Sequence, residues 1–245
     1  MSYRYIFSLI LFLCVQLSFA QLSRTHYIPP ITAADDWNAA PQNQYLHIST
    51  PSLNSVNVSA TEIGGATLVY NVSNADPLEI FIGYGENTAF FASVGTTGAL
   101  IPNKGYSIQS DQPVYASVRL IGSNSGYQAA SLVSKGLAGL GTTFRVGTFT
   151  NPRNFNSNDS DYLSFVSVMA TENNTEVNFS DLAPGVEIVN NTPLSVVLDY
   201  GETYIIAIDP AQTPANKDGL IGALVSSNKP IVVNCGSTGG TKSNA

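Results

Sequence analysis

The chain predicts an all-β fold built as two tandem, repeated antiparallel β-sandwich units. Short runs rich in Val, Ile, Tyr, Phe and Thr fill it from Gln44 to Cys235, punctuated about every 8–12 residues by Gly, Pro, Asn or Asp. Several alternate cleanly; in VNVSA, Val56 and Val58 share one face while Asn57 and Ser59 take the other. Helical periodicity is nearly absent, since the best stretch, Ala129 to Leu140, is interrupted by Gly136 and Gly139. Finally, the chain resembles itself.

Residues 1–20 read as a secretory signal peptide: Arg4 is a short positive start, Ile6 to Val15 an apolar run, and Ser18 and Ala20 small residues before Gln21. The run is too short to span a bilayer, and no second long apolar stretch follows. Leu11, Phe12 and Leu13 are bulky beside Cys14 and argue against a lipid-anchoring signal. Cleavage after Ala20 leaves 225 residues with 9 Lys+Arg against 17 Asp+Glu, because Arg4 is lost.

The first repeat, with an amino-terminal arm, is expected over 21–125. Its strands are QYLHIS (44–49), SVNVSATEI (55–63), ATLVYNVS (66–73), PLEIFIGY (77–84), GYSIQS (105–110) and PVYASVRLI (113–121). Segment 126–141 crosses to the second repeat, 142–245. That repeat carries TTFRVGTF (142–149), YLSFVSVMA (162–170), TEVNFS (175–180), PLSVVLDY (193–200), ETYIIAID (202–209), GALVSS (222–227) and PIVVNC (230–235). The copies match at Thr25/Thr142, Gln44/Asp161 and Ser110/Ser227, all offset by 117, and at Ser55/Glu176, offset by 121. The last offset implies about four extra residues around Glu172 to Thr175. The repeated S-[DN]-x-P-[VI] element reads as a turn in which Pro113 and Pro230 fix φ where a strand begins.

Composition narrows the chemistry. Charged residues make up 11% and the formal charge is −7; polarity rests on 27 Ser, 19 Thr and 22 Asn. An acidic, lysine-poor chain is a poor partner for nucleic acid or anionic lipid. Two His and two Cys argue against most catalytic classes. His26 lies in the arm, and His47 points opposite to Leu46 and Ile48; a surface histidine is preferred over a catalytic base. Cys235 is expected as a small buried apolar residue, or as the mate of a cysteine beyond residue 245. Gly122 to Gly126, GSNSG, is not a nucleophile elbow, and no phosphate loop, C-x-x-C or H-E-x-x-H occurs. Gly83–Gly85 and Gly139–Gly141 mark turns or bulges. The N-x-[ST] triplets at Asn57, Asn71, Asn158, Asn173, Asn178 and Asn190 follow from composition.

Two weak sites remain. Asn156, Asn158, Asp159 and Asp161 form an oxygen-rich loop that is a calcium candidate, with a solvated hairpin loop preferred. Trp37, in AADDWNAAPQNQ, is either a plug on the first sandwich or a binding anchor. No other cofactor is expected.

The segments LSRTHYIPPIT (22–32), QYLHISTPS (44–52), GYSIQSDQPVYAS (105–117), SLVSKGLAGLGTTFRVGTFTN (131–151), YLSFVSVMATENNTEVNFSD (162–181) and SSNKPIVVNCGS (226–237) together resemble the immunoglobulin-Fc-binding protein N-terminal domain family. They are most similar to its Bacteroidetes members, large surface proteins that often end in a gliding-motility-associated C-terminal domain. The resemblance brings no catalytic residue. It implies that a chain ending at GGTKSNA is an N-terminal fragment, and that the protein is exported to a bacterial surface.

The resulting expectation is a non-catalytic, secreted or cell-surface, adhesin-like module recognising extracellular protein or glycan, with its oligomeric state left open. The alternative is a structural spacer repeat. More remote is a carbohydrate-active enzyme, for which Glu79, Glu86, Asp199 and Glu202 supply carboxylates that nothing in the sequence pairs.

Overall fold

The computed structural model describes residues 21–33, 43–121, 130–148, 163–208, 216 and 218–237. Its first unit contains β1 (Ser23–Ile28), β2 (Ile31–Ala33), β3 (Asn43–Ser49), β4 (Val56–Glu62), β5 (Thr67–Val72), β6 (Leu78–Tyr84), β7 (Phe91–Ser93), β8 (Tyr106–Ile121) and β9 (Ala130–Val133). The second contains β10 (Gly141–Arg145), β11 (Ser164–Ala170), β12 (Thr175–Ser180), β13 (Ser195–Leu198), β14 (Thr203–Ile208) and β15 (Leu224–Ser237).

Each unit is one antiparallel sheet curled over its own core. In the first, the amino half of β8 pairs with β1 and β4, and β5 lies beyond β4. The carboxy half pairs with β3 and β9, and β6 lies beyond β3. The second unit repeats the plan. The amino half of β15 pairs with β10 and β12, with β13 outside; the carboxy half pairs with β11, with β14 outside. Alternate positions of β3, β4 and β8, from Leu46 and Ile48 to Val114 and Val118, close the first core with Phe90. Val166, Val168, Val177, Tyr204, Ile206 and Ile231 close the second with Leu220.

Three expectations change. The S-[DN]-x-P-[VI] element does not separate two strands; it is the corner at which a single long strand passes from one leaf of the sheet to the other. Its bonds explain its recurrence. Ser110 Oγ donates to the Gln112 carbonyl at 2.7 Å and Ser227 Oγ to the Lys229 carbonyl at 2.6 Å. The Asp111 carboxylate accepts from the Asn57 N–H at 3.2 Å, and the Asn228 amide oxygen from the Glu176 N–H at 2.9 Å. Pro113 and Pro230 offer their carbonyls to Thr50 and Thr171. Proline fits here because pairing changes partners at the corner.

The second change concerns the arm. Read as an extension ahead of the first sandwich, it supplies β1 to the main sheet, and β2 pairs in parallel with β7. Of the segment read as a crossover, Ala130–Val133 forms β9 on β8.

The third concerns register. Taking the two corners as equivalent, Thr25 and Thr143 face Gln109 and Ser226, an offset of 118. Leu46 and Val166 face Val118 and Cys235, an offset of 120, and Val58 and Val177 face Ser110 and Ser227, an offset of 119. The second copy therefore lengthens before β11, not around Glu172 to Thr175.

The units share a third apolar cluster. Phe91, Ala92 and Ile101 of the first unit cover Leu163, Phe165, Ile205 and Ala207 on the outer face of the second. Ile101 and Thr203 exchange backbone bonds at 2.9 Å, and the Gly98 N–H donates to the Ile205 carbonyl at 2.9 Å. Asn190 Nδ2 donates to the Val94 carbonyl and to Thr97 Oγ1, both at 3.0 Å. Tyr27 and Tyr200 meet edge to face, centroids 6.2 Å apart. Gly105, at φ +101°, has no room for a Cβ, which would run into Met169 and the Ile28 carbonyl.

Candidate functional site

Since β3 and β11 occupy the same place in the two units, their outer faces are directly comparable. On β11 that face is Phe165, Ser167 and Met169; it lies beside Thr203, Ile205 and Ala207 of β14 and is covered by the first unit. On β3 it is Tyr45 and His47, beside Phe81 and Glu79 of β6 and Arg119 of β8, and among the described residues no strand pairs beyond β6.

Phe81 is 56% exposed, and Ile121 and Val133 on the same face are 47% and 40% exposed. The Tyr45 and Phe81 rings lie 5.3 Å apart at 53°, and the Tyr45 and His47 rings 6.2 Å apart at 38°. His47 Nδ1 sits 3.6 Å from Glu79 Oε2, an ion-pair separation beyond hydrogen-bond reach. His47 Nε2 is shut off from solvent and has no hydrogen-bond partner. Tyr, Phe and Arg are residue types enriched at protein-recognition surfaces.

His26, placed in the arm by the sequence, does not lie at the surface. It is a residue of β1 and is wholly buried. Its Nε2–H donates to the carbonyls of Val114 at 3.0 Å and Ser23 at 3.1 Å, and Nδ1 accepts from the Ser134 hydroxyl at 3.0 Å. Burial holds this imidazole below its ordinary pKa of 6.5, partly offset by the two carbonyls. It ties β1 to β8 and to the segment after β9, a structural task. Tyr27 is pushed up to about 12, first by burial and then by Tyr200.

Of the four carboxylates, only Asp199 and Glu202 are brought together. Glu79 faces His47. Asp199 and Glu202 belong to the β13–β14 turn, where the Asp199 carboxylate accepts from the Asn174 N–H and the Glu202 carboxylate from the Asp199 N–H. Glu86 is an exposed residue after β6. Cys235 is half-buried against the second core, its thiol donating to the Gly147 carbonyl. Gly83, the first residue of the G-x-G pair and near the end of β6, lies at a shift in the β3–β6 register, the bulge that the pair implied. Trp37 and the loop of Asn156, Asn158, Asp159 and Asp161 lie outside the described residues. Among the described residues no cluster of three or more His, Cys, Asp or Glu could hold a metal, and no helix is long and apolar enough to cross a membrane. The outer-face patch was legible only as an alternation at Tyr45 and His47; its pairing with Phe81 and Arg119 needed the sheet order.

No curated protein and no solved structure matches the chain. A family model described as IgGFc binding protein matches residues 129–245. Among the segments that carried the resemblance, 131–151, 162–181 and 226–237 lie inside that match, while 22–32, 44–52 and 105–117 lie outside it. The family likeness thus covers β9 through β15, the second unit together with the strand that leads into it.

Proposed function

We propose that this chain is a non-catalytic protein-binding module, exported and displayed at a bacterial surface, and that it binds through the outer face of the first unit. The observation that carries the reading is the contrast between equivalent faces: one buried under a neighbouring unit, the other open and rich in Tyr, Phe, His and Arg. The match to a family described by IgG Fc binding supports a protein partner, and the amino-terminal 20 residues support export. An adhesin role follows if the partner belongs to a host or to a neighbouring cell.

The test is surface capture of immobilised extracellular proteins, IgG Fc among them, by the mature chain and by Tyr45→Ala and Arg119→Ala. Loss of at least about tenfold in affinity in either variant, with unchanged thermal unfolding, supports the reading. Capture that both variants leave unchanged refutes this face as the site.

A further inference from the structure

The free strand edges are guarded unevenly. Among the described residues, β1, β6 and β10 each pair with one strand, and each carries a charge (Arg24, Glu79 and Arg145) and a register shift in its ladder. The edge strands β9 and β13 have four residues each. In contrast, β5 is six residues long, runs in unbroken register with β4, its one partner, and contains neither charge nor proline. Charges, prolines, bulges and shortness are the devices by which exposed edges resist pairing. The backbone direction at β5 follows from its neighbours. The Glu62 N–H donates to the Ala66 carbonyl at 3.1 Å, and the Ile63 N–H to the Gly105 carbonyl at 3.0 Å. The backbone groups of β4 therefore alternate, with Val58 and Ala60 turned toward β5 and Ser59 and Thr61 toward β8. On β5, Leu68, Tyr70 and Val72 bond to β4, and the N–H and C=O groups of Thr67, Val69 and Asn71 point out at the open edge. Leu68 lies opposite Ala60, on the core side with Tyr70 and Val72, yet is 54% exposed with no strand beyond it.

We propose that β5 pairs antiparallel with β5 of a second copy of this chain about a two-fold axis at Val69, so that two copies share one continuous sheet. In that register Val69 faces its own counterpart and Thr67 faces Asn71. All of these are residues with outward backbone groups, so each facing pair exchanges both of its bonds, and no other register uses all of them. On the core side, the exposed Leu68 of each copy meets Tyr70 of the other, an aromatic–aliphatic cross-strand pair that continues the first core past the edge. On the outer face Val69 meets Val69, and no charge meets a like charge anywhere along the strand. This self-complementarity is what selects a second copy as the occupant. The contact is isologous and closes at the dimer. It goes beyond the proposed function and does not use its face: β5 belongs to the leaf of β4, whereas Tyr45 and Phe81 lie on the leaf of β3 and β6. The dimer therefore carries the Tyr45 face twice, which favours capture on a surface that offers two partners within reach.

The Val69 side chain is 67% exposed, so Val69→Lys spares the core, and Val69→Pro removes an N–H that faces the open edge. Sedimentation of the mature chain over a concentration series is expected to show a monomer–dimer equilibrium that stops at the dimer. Each variant is expected to raise the dissociation constant at least about tenfold, with the thermal unfolding of monomeric Val69→Lys unchanged. Hydrogen exchange reads the same contact in the wild type. The amides of Thr67, Val69 and Asn71 should gain protection as concentration rises, while those of Leu68 and Tyr70 are protected already in the monomer. A chain that is monomeric up to its solubility limit overturns the proposal. So does a dimer that either variant leaves unchanged, growth past the dimer, or a dimer in which the amides of Thr67, Val69 and Asn71 exchange freely. Protection of those amides only when a different protein is added also overturns it, and gives the edge to a foreign strand instead.

Discussion

Phe90 and Phe91 are adjacent, identical in chemistry and both wholly buried, yet they belong to different cores. Replacing each by Ala separates the stability of the first sandwich from that of the junction. A buried phenyl ring lost to Ala costs about 3–5 kcal/mol, as transfer free energy plus the cavity left behind. For Phe91 that loss falls on the cluster with Ile101, Phe165, Ile205 and Ala207 and leaves the two sandwich cores intact. With a urea dependence of about 2–3 kcal/mol per molar, the midpoint of the transition that breaks the junction should fall by roughly 1–2 M. Hydrogen exchange localises the effect. The amides of Gly98, Ile101 and Thr203 bond across the junction and should lose protection in Phe91→Ala while the amides of β4 and β12 keep theirs. Phe90→Ala should instead weaken the first unit throughout. If Phe91→Ala costs less than about 1 kcal/mol, or leaves those three amides as protected as in the wild type, the junction is not a packed core and the argument fails.

Two further outcomes follow from single side chains. His26 is held below 6.5 in the folded state, so the native protein binds fewer protons than the unfolded chain just below that pH. Its contribution is complete above pH 6.5 and is lost as pH falls through the depressed folded value, at up to about 1.4 kcal/mol per pH unit. Urea titrations between pH 7 and 5 should show that slope in the wild type and not in His26→Gln; equal slopes would remove His26 as its source. Ser167 Oγ is buried on the covered face without a hydrogen-bond partner. Ser167→Ala should therefore be neutral or stabilising by up to about 1 kcal/mol in thermal unfolding, and a loss greater than that would show a bonded hydroxyl.

The sequence by itself determined the class of fold, most strand positions and the existence of two copies. Those rest on local physics: period-2 alternation as in Val56, Val58 and Ala60, and turn residues between runs. The S-[DN]-x-P-[VI] repeat was equally plain, yet its role as a corner was not, because a turn and a strand changing leaves present the same residues. Register followed the same divide. On β4, alternation holds the alignment to the correct face, and the sequence offset of 121 differs from the observed 119 by an even step. On β11 every residue is buried, so no alternation marks a face, and the offset of 117 differs from 120 by an odd one.

The tertiary structure alone decided which faces are buried. Nothing in THYI marks His26 as a core residue; it is buried because the carbonyl of Val114 and the hydroxyl of Ser134 arrive from distant parts of the chain to join the nearby Ser23 carbonyl in bonding it. Nothing near Tyr45 or Phe165 says that one is open and the other covered. That difference arises because the connection after β6 extends onto the outer face of the second unit, while Phe81 on the outer face of the first stays exposed, and burial of this kind depends on what the rest of the chain places overhead.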